Sequence, residues 1–278
     1  MITSRLPHLF SGLTGLAALL SLAAVAPLTA QTIQTAQTTS KGHAVRPSPS
    51  HSHSLNTLVL EQINTMPRGG TYSTTAEASA RLRRSISVDG GSLAIEPRTA
   101  TPSYCSGATY LVFLKTLDAL SRQGGLHLSP ETLAALAVRG QPDGTGVWGR
   151  WNANGPGTAR LFHELKLGRN FDKISEARPG DFMKIFWTTE VGSRERGHSV
   201  IFLGADDKEI RFWSSNTPDG YGVKSVPVSK VAYALFSRLE TPERINDAPA
   251  LPRSDSYLAS LLSKRSSAAE ARAKSGVR

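Results

Sequence analysis

A chain of 278 residues that is 39% hydrophobic and 19% charged is too apolar to be disordered throughout and long enough to bury a core. Its single cysteine excludes an internal disulfide, and its net charge of +10 favours an anionic partner, with solubility as the plain alternative. Nucleic acid is not the expected partner: no recognition motif stands out, and the charges are scattered rather than gathered in one stripe.

Residues 1–30 read as a secretory signal peptide. Arg5 forms a short basic start, and "SGLTGLAALLSLAAVA" is an uncharged apolar stretch shorter than the roughly 20 residues of a spanning helix. The expected cut follows Ala30; Ala24-Val25-Ala26 is a cleaner small-residue match, but Pro27 would block cleavage there. A membrane anchor is the alternative. The expected location is therefore secreted or periplasmic, with no stable membrane insertion after cleavage. In that oxidising setting an unpaired cysteine is a liability unless it is kept for a reason.

Residues 31–55, rich in Ser, Thr, Gln and Pro, read as a disordered linker carrying His43, His51 and His53. Residues 56–245 read as one globular domain. "LNTLVLEQINTM" and "TAEASARLRRSI" are expected as helices and "GSLAIEP" as a short strand. "SPETLAALAV" is a helix with Ser129 as cap and Pro130 in its first position, and "GPGTARLFHELKLG" is another, closed by Gly168. The C-terminal half turns to short β-branched and aromatic runs: "DFMKIFW", "SVIFLG", "EIRFWSSN", "YGVKSV" and "AYALFSRLE". Turn residues between them predict an antiparallel sheet, and helices followed by strands make the class α+β. Residues 246–278 read as a basic, flexible tail with a frayed helix over "SYLASLLSK".

"ATYLVFLKTLDAL", apolar on almost every side, predicts a central buried helix, stopped by Gly124-Gly125. Cys105 stands at its start, where unpaired N–H groups and the helix dipole favour a thiolate. Gly107 is expected to leave room for a substrate. An inert core cysteine is the competing interpretation. A nucleophilic thiolate needs a base. His127 lies in a loop, and His163 lies in a helix among Leu161, Phe162 and Leu165. His198 follows a polar loop and Gly197, and opens an apolar strand. In the next strand, alternation puts Ile210, Phe212, Ser214 and Asn216 on one face, and hairpin pairing brings Asn216 toward His198. Asn216 is the candidate acceptor for the imidazole, with Ser214 as its rival.

The pieces "YCSGATYLVF", "ARPGDFMKIFW" and "GHSVIFLG", in this order over residues 100–240, resemble the NlpC-type papain-like cysteine peptidases and amidases of bacterial cell walls, with the CHAP amidases as relatives. The resemblance implies a papain-like fold, in which N-terminal helices, including the nucleophile helix, pack on a C-terminal antiparallel sheet. It also implies cleavage of an amide bond in peptidoglycan by Cys105 with His198 as base, no metal and no cofactor. Tyr104 stands where the family often has Asp, and Asn216 where it often has a second histidine. The backbone N–H of Cys105 would serve an oxyanion, with Ser103 and Tyr104 both open as the second donor. Trp148 and Trp151, in "GVWGRWNANGPG", are candidates for stacking on sugar or peptide, with core packing the equal alternative; Asp181 in "RPGD" is expected as a turn residue. The expected function is a secreted endopeptidase or amidase acting on peptidoglycan or another anionic envelope polymer. The alternatives are an acyl transferase or protease with another substrate, and a decayed, non-enzymatic basic envelope-binding module.

Overall fold

The computed structural model describes residues 54–193 and 197–277. The expected signal peptide, the linker up to residue 53 with its three histidines, and residues 194–196 of the loop before His198 lie outside them. The described chain opens with α1 (Leu55–Asn64), the short β1 (Gly69–Gly70) and α2 (Ala76–Arg84). Ser54 and Thr75 cap the two helices, each side chain accepting from the backbone N–H three residues on. A hairpin of β2 (Ile86–Asp89) and β3 (Ser92–Ile95) follows. Next come α3 (Cys105–Arg122), α4 (Pro130–Leu136), α5 (Gly146–Trp151) and α6 (Gly157–Leu165). The strands are β4 (Gly168–Phe171), β5 (Phe182–Phe186), β6 (Glu190–Gly192), β7 (His198–Ala205), β8 (Glu209–Asn216), β9 (Gly220–Pro227) and β10 (Tyr233–Leu239). The chain ends with α7 (Ser256–Ser260), β11 (Arg265–Ser267) and α8 (Ala268–Lys274).

The class is α+β. Among the described residues, seven strands form an antiparallel sheet in the order β1-β9-β8-β7-β5-β10-β4. Both faces are covered. Phe182, Ile201 and Trp213 pack toward the helices, with α3 at the centre, while Met183, Val200, Phe212 and Phe236 form a separate cluster on the other face. This is why "FMKIF" is apolar at four of five positions rather than alternating. Asp181, at the turn into β5, is fully buried and does more than shape that turn. Its carboxylate accepts from Arg238 Nε at 2.8 Å and Nη2 at 2.6 Å, and from the Arg178 N–H at 2.7 Å, tying β5 to β10.

Three expectations are corrected. "GVWGRWNANGPG" is not an open loop: residues 146–151 are helical, and Trp148 and Trp151 are 3% and 1% exposed. The glycines that read as loop signals serve close approach. A Cβ on Gly149 would collide with the Pro142 carbonyl, and one on Gly157 with the Arg150 carbonyl. Helix α6 is closed not by Gly168 but by Lys166, which takes the left-handed conformation (φ 54°, ψ 40°).

Residues 246–277 are not a flexible tail. Leu258, Leu261 and Ala271 are buried with Phe186, Val191 and Leu235 in a second core, and β11 pairs with β6. The fully buried Arg150 donates to the Pro252 carbonyl at 2.9 Å, and Arg160 pairs with Asp255 at 2.7 Å. The segment is polar in sequence because its anchors are carbonyls and charges held by partners about a hundred residues earlier.

Candidate active site

Cys105 is the first residue of α3 and is half-buried. Tyr104, in the extended region, is the cap, and its own side chain makes no capping hydrogen bond to the first turn. The helix stays put because nearly every side chain from Ser106 to Leu117 is buried. Gly107 does not open the cleft, in contrast to expectation. A Cβ there would meet Leu82 of α2 at 3.2 Å, so its smallness serves helix packing.

His198 opens β7 and Asn216 ends β8. The strands pair with Ile201 opposite Trp213, a register that, extended to the strand ends, brings His198 and Asn216 together. His198 Nε2 lies 3.0 Å from Asn216 Oδ1. The amide orientation is set by its other end: Asn216 Nδ2 donates to the Gly222 carbonyl at 2.9 Å and the Ser214 carbonyl at 3.2 Å. The oxygen therefore faces the ring and accepts, so Nε2 carries the proton and Nδ1 is left for the sulfur. Phe212 meets the imidazole edge-on at 5.6 Å. Ser214 is not the partner: its hydroxyl donates to the Ser199 carbonyl at 2.7 Å.

Burial alone would push the Cys105 thiol up. It is outweighed by a hydrogen bond to His198, by the charges of His198 and Lys184, and by a bond from the Ser199 backbone, which together bring the thiol down from 9.0 to about 6. A thiol poised below neutrality beside an imidazole held by an amide is the arrangement a nucleophile requires.

The other candidates fare unevenly. Ser103 is engaged on both donors: its hydroxyl donates to Ser215 Oγ at 2.8 Å and its N–H to the Thr71 carbonyl at 3.1 Å. It is therefore withdrawn as an oxyanion donor and as a substrate contact. Tyr104 lines the cleft at Cys105; burial raises its phenol pKa, against a bond to the Ser79 side chain. Trp148 and Trp151 are core residues rather than substrate contacts. Trp148 packs on Tyr110 at 5.1 Å, and Trp151 stacks on Phe113 at 4.8 Å while its indole N–H donates to the Ser106 carbonyl at 3.1 Å. His127 and His163 are exposed, away from the thiol's cleft.

Four residues of the site escaped the sequence. Lys184, 8% exposed, pairs across β5 and β7 with Ser199, its ammonium 3.5 Å from the hydroxyl. Its signal was legible as the one charge inside "FMKIF". Asp143 and Asn152 come from irregular chain that carries no periodic signal. Asp143 accepts from the Asn154 N–H at 2.8 Å, and burial raises its pKa, against that bond and the Lys184 charge. Asn152 Oδ1 accepts from Ser106 Oγ at 2.6 Å. Trp187, the last residue of "DFMKIFW", is 41% exposed.

Two clefts flank the thiol and the imidazole. One, of about 460 Å³, is lined by Tyr104, Cys105, Asp143, Asn152 and Lys184. The other, of about 340 Å³, is lined by Trp187, His198, Phe212, Asn216 and Val226. Tyr72 lines both. Among the described residues no group of three or more His, Cys, Asp or Glu side chains could hold a metal ion, and no helix is long and apolar enough to cross a membrane. No protein-family model, no curated protein and no solved structure matches the chain.

Proposed function

We propose that the protein is a cysteine hydrolase of papain-like architecture that cleaves an amide bond by a Cys105–His198–Asn216 triad. The observation that carries this reading is the 3.0 Å contact of His198 Nε2 with an Asn216 oxygen whose orientation is fixed, beside a thiol lowered to about 6. The thiolate adds to the carbonyl carbon, and the oxyanion takes hydrogen bonds from the Cys105 N–H and from Asn152 Nδ2, since Asn152 Oδ1 is committed to Ser106. Imidazolium Nδ1–H gives its proton to the leaving nitrogen as the C–N bond breaks. Water then attacks the thioester carbon with Nδ1 as base, releasing the acid and restoring the thiolate.

The substrate we propose is bacterial peptidoglycan, cut as an endopeptidase or amidase by a secreted or periplasmic enzyme. The net charge of +10 would draw the protein to an anionic envelope polymer. No step in this scheme calls on a cofactor or metal. Purified peptidoglycan should yield new amino and carboxyl termini on digestion, identified by mass spectrometry, and Cys105→Ala should yield none while folding normally. Binding to sacculi without new termini, at equal strength in both proteins, would make it a non-enzymatic basic envelope-binding module.

A further inference from the structure

The two clefts beside the thiol differ in chemistry. On the Cys105 side the walls are polar and ionic, with Asp143, Asn152, Asn154 and Lys184. On the His198 side they are more aromatic and apolar, with Tyr72, Trp187, Phe212 and Val226 beside the uncharged polar Asn216, Thr217 and Ser225; the Lys224 ammonium there is held by the Thr217 carbonyl at 2.8 Å. The exposure of the tryptophans is equally uneven. Trp148, Trp151 and Trp213 are 3%, 1% and 4% exposed, whereas Trp187 is 41% exposed on the wall of the aromatic cleft. An indole with two-fifths of its surface exposed on a concave wall offers a stacking face to a ligand.

The direction of the reaction assigns each half of the substrate to a cleft. The acyl carbon must reach Sγ with its oxygen toward the first turn of α3, so the acyl portion runs along the cleft that contains Tyr104, Cys105 and Asn152. The leaving nitrogen must come within hydrogen-bond reach of the imidazole that protonates it, so the amine portion continues past His198. We infer, on the cysteine hydrolase reading, that the leaving amine occupies the aromatic cleft, and that Trp187 selects an apolar side chain on the residue that supplies the scissile nitrogen. The acyl half lies in the ionic cleft between Asp143 and Lys184.

Capture of an acyl-enzyme tests this without any natural substrate. Full-length protein is treated with p-nitrophenyl acetate: the Cys105 thiolate bonds to the acetyl carbon, the carbon–oxygen bond breaks, and p-nitrophenolate leaves. Leucinamide, glycinamide or lysinamide then competes with water. The amine nitrogen bonds to the acetyl carbon, the carbon–sulfur bond breaks to restore the thiolate, and the amine's proton passes to His198. By microscopic reversibility the captured amine uses the leaving-group cleft. The ratio of N-acetyl amide to acetate should favour leucinamide over glycinamide by about 10-fold or more, the scale of an apolar side-chain contact. Trp187→Ala should bring that ratio close to one and Trp187→Phe should restore most of it; as a ratio within each enzyme, it is independent of overall rate. Equal capture of all three amides, preference for lysinamide, or a ratio unmoved in Trp187→Ala would overturn the inference. Absence of an acetyl group on Cys105 by mass spectrometry would overturn the cysteine hydrolase reading and the inference with it. Leucinamide selection without digestion of peptidoglycan would remove only the proposed substrate.

Discussion

The β7–β8 hairpin and the C-terminal segment 251–277 meet the rest of the protein in opposite ways. The hairpin is built from period-2 strands joined by a short polar turn, and its ends bring His198 and Asn216 within 3.0 Å of each other. The C-terminal segment has little periodicity and short elements, yet it closes a core of its own around Phe186, Val191 and Leu235. The first is organised by its own pattern, the second by anchors distant in sequence. What looks like a tail by composition can be a wall of the domain when a buried arginine and a few leucines receive it.

Removing the segment should have the largest effect. A chain ending after Ala250 loses Leu258 and Leu261, each worth about 2–5 kcal/mol as a buried side chain, and leaves Arg150 without the Pro252 carbonyl. Together with Ala271 and Val277 this approaches the ~5–15 kcal/mol that holds a typical domain. The expected result is loss of the cooperative thermal transition in circular dichroism. A shortened chain that melts like the whole protein would return the segment to the status of a tail.

The next effect falls on the sheet. Asp181→Asn leaves the buried Arg238 without its bidentate partner and should cost about 3–5 kcal/mol, read from the urea midpoint. An unchanged midpoint would mean that the β5–β10 junction does not depend on the ion pair.

Within the hairpin, Asn216→Ala should lower kcat/KM roughly 100-fold, equivalent to about 2.7 kcal/mol of transition-state stabilisation, chiefly in kcat. Ser214→Ala should leave kcat near that of the parent and cost about 1 kcal/mol of stability, the worth of its bond to the Ser199 carbonyl. The reverse ranking would give Ser214 the orienting role.

The smallest effect concerns pH. The thiolate is the form that reacts, so alkylation of Cys105 by iodoacetamide should rise as pH increases through about 6, well below the 9.0 of an ordinary thiol. Lys184→Met removes one of the charges that favour the thiolate, so the midpoint should move upward. A midpoint near that of a free thiol in the parent protein would make Cys105 an inert core residue.

The uneven legibility of the chain has the same origin as the opening contrast. The buried helix, the five long strands and the hairpin register follow from apolar period and turn chemistry, which act over a few residues. Cys105, His198 and Asn216 stand at ends of those elements, so their approach could be anticipated. The burial of Trp148 and Trp151 is hidden from the sequence because glycines mark both open loops and tight backbone contacts, and no local pattern distinguishes Gly149 against the Pro142 carbonyl from a flexible linker. Asp143 and Asn152 reach the cleft from irregular chain whose course is decided by Arg150 and the folded C-terminal segment. No local pattern encodes contacts of that range.

The contrast between three buried tryptophans and one exposed to solvent gives the protein an optical handle. Its four tryptophans comprise Trp148, Trp151 and Trp213, sealed from solvent, and Trp187 on the cleft wall. Iodide, a charged collisional quencher, reaches only emitters in contact with water. The quenchable share of the emission is therefore that of a single indole, and a molecule seated in the aromatic cleft would shield it. Occupancy could be followed in real time on unlabelled protein, including the Cys105→Ala variant, where substrate would bind without being consumed.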